Sequence, residues 1–309
     1  MALLISNLMM GTEAEWRAAI AAGLPDLEVR FWPDVGDPAD IEYLAFTRPS
    51  PDDWPEFPNL KAMLTRQAGV DGFIRHPRLP KVPLSKLEPE DGDPMMTEYT
   101  VMHVLRLHRS MPTYRERQGR GEWQEVRQKR PEERTVGFLG YGTMARKPAR
   151  ILREMGFDIA AWTRTPRPDA DIPIYAGRDR FHAILERSDI VVCLLPLTGE
   201  TRGILDAEAF AKMPAGGMVV NIGRGEHVVV DDLIAALDSG HLYHAALDVH
   251  APEPLPPESP LWDHPGVTVM PHVARRPNVA QLAPQIVANI RRCEAGQPLL
   301  QEVDREAGY

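Results

Sequence analysis

The sequence predicts an α/β protein of two units, the larger built on a parallel sheet, and three observations predict it. From Arg134 onward, apolar runs of strand length alternate with helical patterns, and several of those runs are apolar throughout, as strands buried on both faces are. The first run ends in a glycine-rich turn that opens a helix. Upstream of residue 97, shorter apolar runs alternate with Pro, Asp and Gly clusters, the pattern of a smaller α/β unit.

Length and composition agree: 309 residues with 43% hydrophobic content can bury two cores of ordinary size. The net charge of -9 lacks the basic excess of a nucleic-acid binder, so the expected partner is a small molecule. The two cysteines, Cys193 in "DIVVCLLPL" and Cys293 in a charged helical pattern, suggest neither a disulfide framework nor a paired metal site and fit a reducing cytoplasm. The opening "MALLISNLMMGTEAEW" is too short in its apolar run to span a bilayer and lacks the basic flank of a signal peptide, so it reads as a buried strand, and no membrane association is expected.

In the first unit a strand at the N-terminus precedes the helix "TEAEWRAAIAAG" and the strands "LEVRFW", "IEYLAFT" and "LKAMLTRQ". One long helix follows, "MTEYTVMHVLRLHRSMPTYRERQ", with Thr97 able to cap it, ending before the turn "QKRPEER". Six strands then come in order, "RTVGFLG", "DIAAWT", "DIVVCLLP", "GMVVNIG", "YHAALDV" and "VTVMPH", most of them joined by helical patterns, which describes a doubly wound sheet. The last helix, "NVAQLAPQIVANIRRCEAG", should return the chain to the first domain, with a break or kink at Pro284. The expected partition is residues 1–96, 97–282 and 283–309.

The turn "VGFLGYGTMA" sets Gly140, Gly142 and Ala145 in a G-x-G-x-x-A spacing behind Gly137. Glycines there permit a tight turn and close approach of the backbone to a pyrophosphate, and the helix start at Thr143 and Met144 favours an anion. Where the next strand ends, an acid would bind the ribose 2′-hydroxyl of NAD; this chain has Thr163, Arg164 and Thr165, with Arg167 following. An acid would repel a 2′-phosphate and a guanidinium would bind it, so NADPH is expected over NADH.

Three further strand ends deliver Arg224, Glu253 and His272. Ligands of open parallel sheets lie outside the carboxyl ends of strands, which would bring these residues to one crevice with the glycine turn. Arg can clamp a carboxylate, His titrates near neutrality, and Glu beside it favours the protonated ring, a set that could reduce a 2-keto acid. Neither His103 with His108 nor His241 with His244 has metal-ligand spacing, and no metal is expected.

The arginine segment "NIGRGEHVVVDDLIAALDSG", the glutamate segment "ALDVHAPEPLPPESPLW" and the histidine segment "MPHVA" resemble the D-2-hydroxyacid dehydrogenase family, and within it the glyoxylate/hydroxypyruvate reductase A type. The resemblance extends from "RQAGVDG" to the closing "VDREAGY". It implies a cofactor domain of Rossmann type inserted into a smaller flavodoxin-like substrate domain, and a homodimer built on the helix near Met102. It also implies NADPH-dependent reduction of glyoxylate to glycolate and hydroxypyruvate to D-glycerate. Arg224 would bind and polarise the keto acid, His272 protonate the carbonyl oxygen, and Glu253 orient His272. Ala68, Gly69 and Val70 would cradle the substrate carboxylate, and Leu195, Pro196, Ile222, Gly223 and Asp248 line the cofactor cleft. Departures fall in the substrate pocket: Gln67 before "AGVD", no tryptophan in "AFTRPS", and a shortened "PHVARRPN" that would bring Arg275 and Arg276 close to the site. A bulkier keto acid, or a nicotinamide-sensing protein with weak catalysis, are the other readings.

Overall fold

The computed structural model describes residues 1–6, 10–47, 52, 54–67, 69–89 and 92–306. Its strands in chain order are β1 (Ala2–Ser6), β2 (Glu28–Phe31), β3 (Ile41–Phe46), β4 (Ala62–Thr65), β5 (Leu84–Lys86), β6 (Thr135–Leu139), β7 (Asp158–Thr163), β8 (Ile174–Ala176), β9 (Ile190–Cys193), β10 (Gly217–Asn221), β11 (Leu242–Leu247) and β12 (Val267–Val269). The α-helices are α1 (Glu13–Ala21), α2 (Pro94–His108), α3 (Met111–Gly119), α4 (Thr143–Glu154), α5 (Phe181–Arg187), α6 (Ala207–Lys212), α7 (Val230–Asp238) and α8 (Val279–Glu294). The chain divides into two compact units, Met1–Glu90 with Arg276–Tyr309, and Asp91–Arg275.

The first unit carries a five-stranded parallel sheet in the order β2-β1-β3-β4-β5, the flavodoxin-like winding. Thr12 and Glu15 cap α1 reciprocally, and α1 buries Trp16 and Ile20 in a cluster that also takes Leu282, Ile286 and Ile290 of α8. The tail completes the edge at β5: Val303 N–H donates to the Leu84 carbonyl at 2.8 Å, and Lys86 N–H to Gln301 at 3.1 Å. Of the break or kink expected at Pro284, no break occurs. Proline removes the bond to the Ala280 carbonyl, but α8 runs on through it, capped by Asn278 and Gln281 and held by its buried face.

The second unit is a seven-stranded parallel sheet, β12-β11-β10-β9-β6-β7-β8. Winding runs outward from β6 to β8, then restarts at β9 and runs the other way, so the switch point lies between β6 and β9. Along β9, Val191 and Cys193 enter one core cluster and Ile190 and Val192 the other, which is why the run is apolar throughout. The seventh strand, β8, was not among the six expected; it is a half-buried edge of three residues. The single long helix expected after residue 96 is two. Ser110 adopts φ 53°, in the left-handed region, and Pro112 cannot donate to the preceding turn, so α2 ends and α3 begins. Asp93, not Thr97, caps α2, accepting from Met95 N–H at 2.9 Å and Met96 N–H at 3.3 Å. Thr97 lies inside the helix with its hydroxyl on the Asp93 carbonyl. No helix among the described residues is long and apolar enough to cross a membrane.

Candidate active site

The glycine turn follows β6 at the switch point. Gly140 has φ 94°, and a Cβ there would lie 3.0 Å from the Leu194 carbonyl oxygen, so both backbone and space demand glycine. Gly142 faces open space, with no atom within 4 Å of a Cβ, and caps α4 without a side-chain hydrogen bond. The start of α4, at half-buried Thr143 and Met144, therefore keeps room and amide donors for a diphosphate, and the turn fits a dinucleotide. Ala145 is buried where α4 meets the sheet. Gly137 serves packing instead, since its Cβ would fall 2.0 Å from Ser188 Oγ.

At the end of β7 the Thr163 hydroxyl donates to the Thr165 carbonyl at 2.7 Å, shaping a turn on which Arg164, Thr165 and Arg167 are exposed. The first acids beyond it are engaged by arginines of α4: Asp169 by Arg146 at 3.4 Å and Asp171 by Arg153 at 2.7 Å. The turn itself thus presents cations.

The arginine loop is held from inside. Buried Asn221, the last residue of β10, donates from its side chain to the Arg224 carbonyl at 2.8 Å and accepts from Gly223 N–H at 3.2 Å. Arg224 N–H donates to His227 Nδ1 at 3.1 Å, and its guanidinium to the Gly223 carbonyl at 2.8 Å. Leu195 and Ile222 are buried beside the loop, Pro196 is half-buried, and a Cβ on Gly223 would lie 3.2 Å from the Leu195 carbonyl oxygen. Gly225 packs on the peptide joining His250 and Ala251: a Cβ would lie 2.0 Å from the His250 carbonyl carbon. This contact registers the arginine loop against the glutamate loop.

His272 and Glu253 meet at 2.8 Å, Nδ1 to Oε2, with side chains 42% and 27% exposed. The second carboxylate oxygen accepts from His250 N–H at 3.0 Å. Burial alone would raise the Glu253 carboxyl, but the hydrogen bonds from His272 and from His250 N–H outweigh it and hold the group below its usual value. His272 itself has φ 53°, an uncommon conformation for a non-glycine residue. Asp248 sustains it. Its carbonyl accepts from His272 N–H at 2.7 Å, and its carboxylate accepts from Val273 N–H at 2.8 Å, Ala274 N–H at 3.0 Å and the Tyr99 hydroxyl at 2.8 Å. Asp248, expected along the cofactor cleft, is 2% exposed and turns its carboxylate to the histidine segment. Arg275, expected to crowd the site, is instead folded onto Asp93 at 2.8 Å, with side chains 9% and 1% exposed.

In the first unit, Val70 is buried and Gly69 half-buried, with the Val70 carbonyl accepting from Phe73 and Ile74; Ala68 lies outside the described residues. Sequence reasoning missed Asn221, Gly225, His227, His250 and Tyr99. The doubled glycine of "GRG" signals a close approach, whereas the partners of the buried polar residues lie far along the chain. Among the described residues no group of His, Cys, Asp and Glu could hold a metal ion.

A family model described as D-isomer specific 2-hydroxyacid dehydrogenase, NAD binding domain, matches residues 101–274, more than half of the chain. A D-isomer specific 2-hydroxyacid dehydrogenase from Xanthobacter autotrophicus Py2, solved in complex with NADPH and MES, is 38% identical, with 99% of each chain covered and a TM-score of 0.94. An NADPH-dependent glyoxylate/hydroxypyruvate reductase from Sinorhizobium meliloti, solved with NADP and sulfate, is 36% identical over all of both chains, with a TM-score of 0.90. A D-isomer specific 2-hydroxyacid dehydrogenase family protein from Klebsiella pneumoniae 342 is 32% identical, covering 99% of this chain and 98% of that one, with a TM-score of 0.85. With the glycine turn, the locked arginine loop and the Glu253–His272 pair in one parallel-sheet unit, the chain belongs to the D-isomer specific 2-hydroxyacid dehydrogenase family and is an NAD(P)-dependent oxidoreductase.

Proposed function

We propose that the protein reduces small 2-keto acids with NADPH, glyoxylate to glycolate and hydroxypyruvate to D-glycerate. The observation that carries this reading is the 2.8 Å Glu253–His272 pair, whose carboxylate stays ionised below the usual range. A carboxylate only accepts, so His272 Nδ1 carries its hydrogen and Nε2 is the ring position left to exchange a proton. When bound, a reduced nicotinamide supplies the hydride. His272, protonated, gives its Nε2 proton to the carbonyl oxygen; the charge on the ring is matched by Glu253 until the proton leaves, and the alcohol is formed. Arg224 binds the carboxylate and draws charge toward the carbonyl oxygen, its backbone fixed by Asn221 and His227. Gly140, Gly142, Thr143 and Met144 would hold the diphosphate, and Thr163, Arg164 and Thr165 the 2′-phosphate, with Arg167 as a second cation. Gly69 and Val70 would hold the substrate carboxylate from the first unit, which serves as the substrate domain.

The Sinorhizobium meliloti reductase, similar over its whole length, supports the substrates and the cofactor. Exposed Met102 on α2 and Met111 at the start of α3 support a homodimer formed there. The cytoplasm is the proposed place of work. Arg224→Ala and His272→Ala should each abolish reduction of glyoxylate while NADPH binding, followed by its fluorescence, stays close to wild type. Near-wild-type turnover in either variant would overturn the assignment.

A further inference from the structure

His227 follows the arginine by three residues and is fully buried. Two hydrogens converge on its Nδ1: the Arg224 amide at 3.1 Å and the thiol of Cys193 at 3.6 Å, a thiol that burial keeps protonated by pushing it up to about 12. Nε2 lies 3.4 Å from the Pro196 carbonyl oxygen, which only accepts. One state satisfies these three neighbours together, the neutral ring with its hydrogen on Nε2. The fit is close toward Gly223 as well, since a Cβ there would come 3.0 Å from Nδ1. His227 N–H also donates back to the Arg224 carbonyl at 3.2 Å, so residue and loop clasp each other.

We infer that His227 is a positioning residue for keto acid binding: as a neutral imidazole it spans the ends of β9 and β10 and fixes the Arg224 backbone relative to Pro196. The inference deepens the proposed function and rests on Arg224 as the carboxylate clamp. His227 touches neither substrate nor cofactor in this account. It acts by setting where the clamp stands.

Two measurements test it. The first needs no turnover: in the cofactor-free protein labelled with ¹⁵N-histidine, the His227 ring should show a non-protonated Nδ1 and a protonated Nε2 from about pH 5 to 8. A protonated Nδ1, or a ring that titrates in that window, would overturn the inference whether or not the protein is a reductase. The second compares His227→Asn, whose Oδ1 can still accept from the Arg224 amide, with His227→Leu, which cannot. Loss of a buried acceptor should raise KM for glyoxylate about tenfold or more in the Leu variant. KM for NADPH should hold within about twofold, and the Asn variant should stay within about threefold of wild type on both. Wild-type KM for glyoxylate in His227→Leu, or equal impairment of His227→Asn, would sink the positioning role. Should the Leu variant not fold, the Asn variant and the ring spectrum decide. A wild-type protein inert toward every keto acid would instead count against the proposed function, and the spectrum would still report on His227.

Discussion

His272 and Glu253 form a 2.8 Å pair in which the histidine backbone, at φ 53°, is held in a conformation it would not choose alone. Four hydrogen bonds to Asp248, three from this segment and one from Tyr99, offset that strain. The ring is thereby delivered to the carboxylate in advance of any ligand, and its orientation costs nothing when substrate arrives.

Glu253→Gln tests the electrostatic half of the pair. The amide keeps the shape but no longer compensates a charged ring, so kcat for reduction should fall by about a hundredfold. In wild type the lowered Glu253 value means that its stabilising interaction is complete above the ordinary carboxyl range and lost only as pH falls through the lower folded value. Glu253→Gln should therefore be less sensitive to strong acid than wild type in thermal melts.

Gly225→Ala tests the registration of the two loops. The added methyl would occupy the place of the His250–Ala251 peptide, so one loop must move. Stability should drop by about 1–3 kcal/mol, read from chemical denaturation, and kcat/KM should fall much further than stability explains. Gly142→Ala is the contrast, because no atom lies within 4 Å of that Cβ. It should leave stability near wild type and raise KM for NADPH.

Acid stability should be governed by two histidines behind the site. Burial, together with Arg106, lowers His103 to about 4; burial, Arg106, His264 and His103 lower His244 to about 4. Asp248 acts on His103 in the opposite sense. Each ring is neutral when folded but takes up a proton near 6.5 when unfolded, so the unfolded chain binds more protons between those limits. The contribution of these two rings should be full above pH 6.5, decline toward pH 4 and level off below it. The double variant His103→Gln with His244→Gln should show a flatter Tm profile over that window. An unchanged slope would mean that the acid sensitivity lies elsewhere.

Arg164→Ala tests the cofactor turn. Removing one charge-assisted partner of a 2′-phosphate should raise KM for NADPH by about tenfold while leaving KM for NADH nearly unchanged. Equal effects on both cofactors would assign the arginine another role.

Much of this architecture is legible in the sequence because long apolar runs and a glycine turn carry their own signal. The strands β6, β7, β9, β10 and β11 are four to six residues long and buried, and periodicity finds them. The edges β5 and β8 are three residues each, too short to show a period, and β5 is completed by a tail more than two hundred residues later. Arg224, Glu253 and His272 can be named because strand ends point to them. The partners of Asp248, His227 and Arg275 could not be read, since each lies distant in sequence: Tyr99, Pro196 and Asp93. The helix break at Ser110 went unseen for a local reason, a left-handed residue before Pro112 inside an otherwise helical pattern.

Reduction of a small 2-keto acid by NADPH is read from the loss of NADPH or NADH absorbance with glyoxylate, hydroxypyruvate, pyruvate and phenylpyruvate in parallel. NADPH oxidation should be rapid with glyoxylate and hydroxypyruvate, and slower with pyruvate and phenylpyruvate or when NADH replaces NADPH. Activity with NADH alone would contradict the reading of Arg164, and tight NADPH binding without turnover of any acid would contradict the reductase.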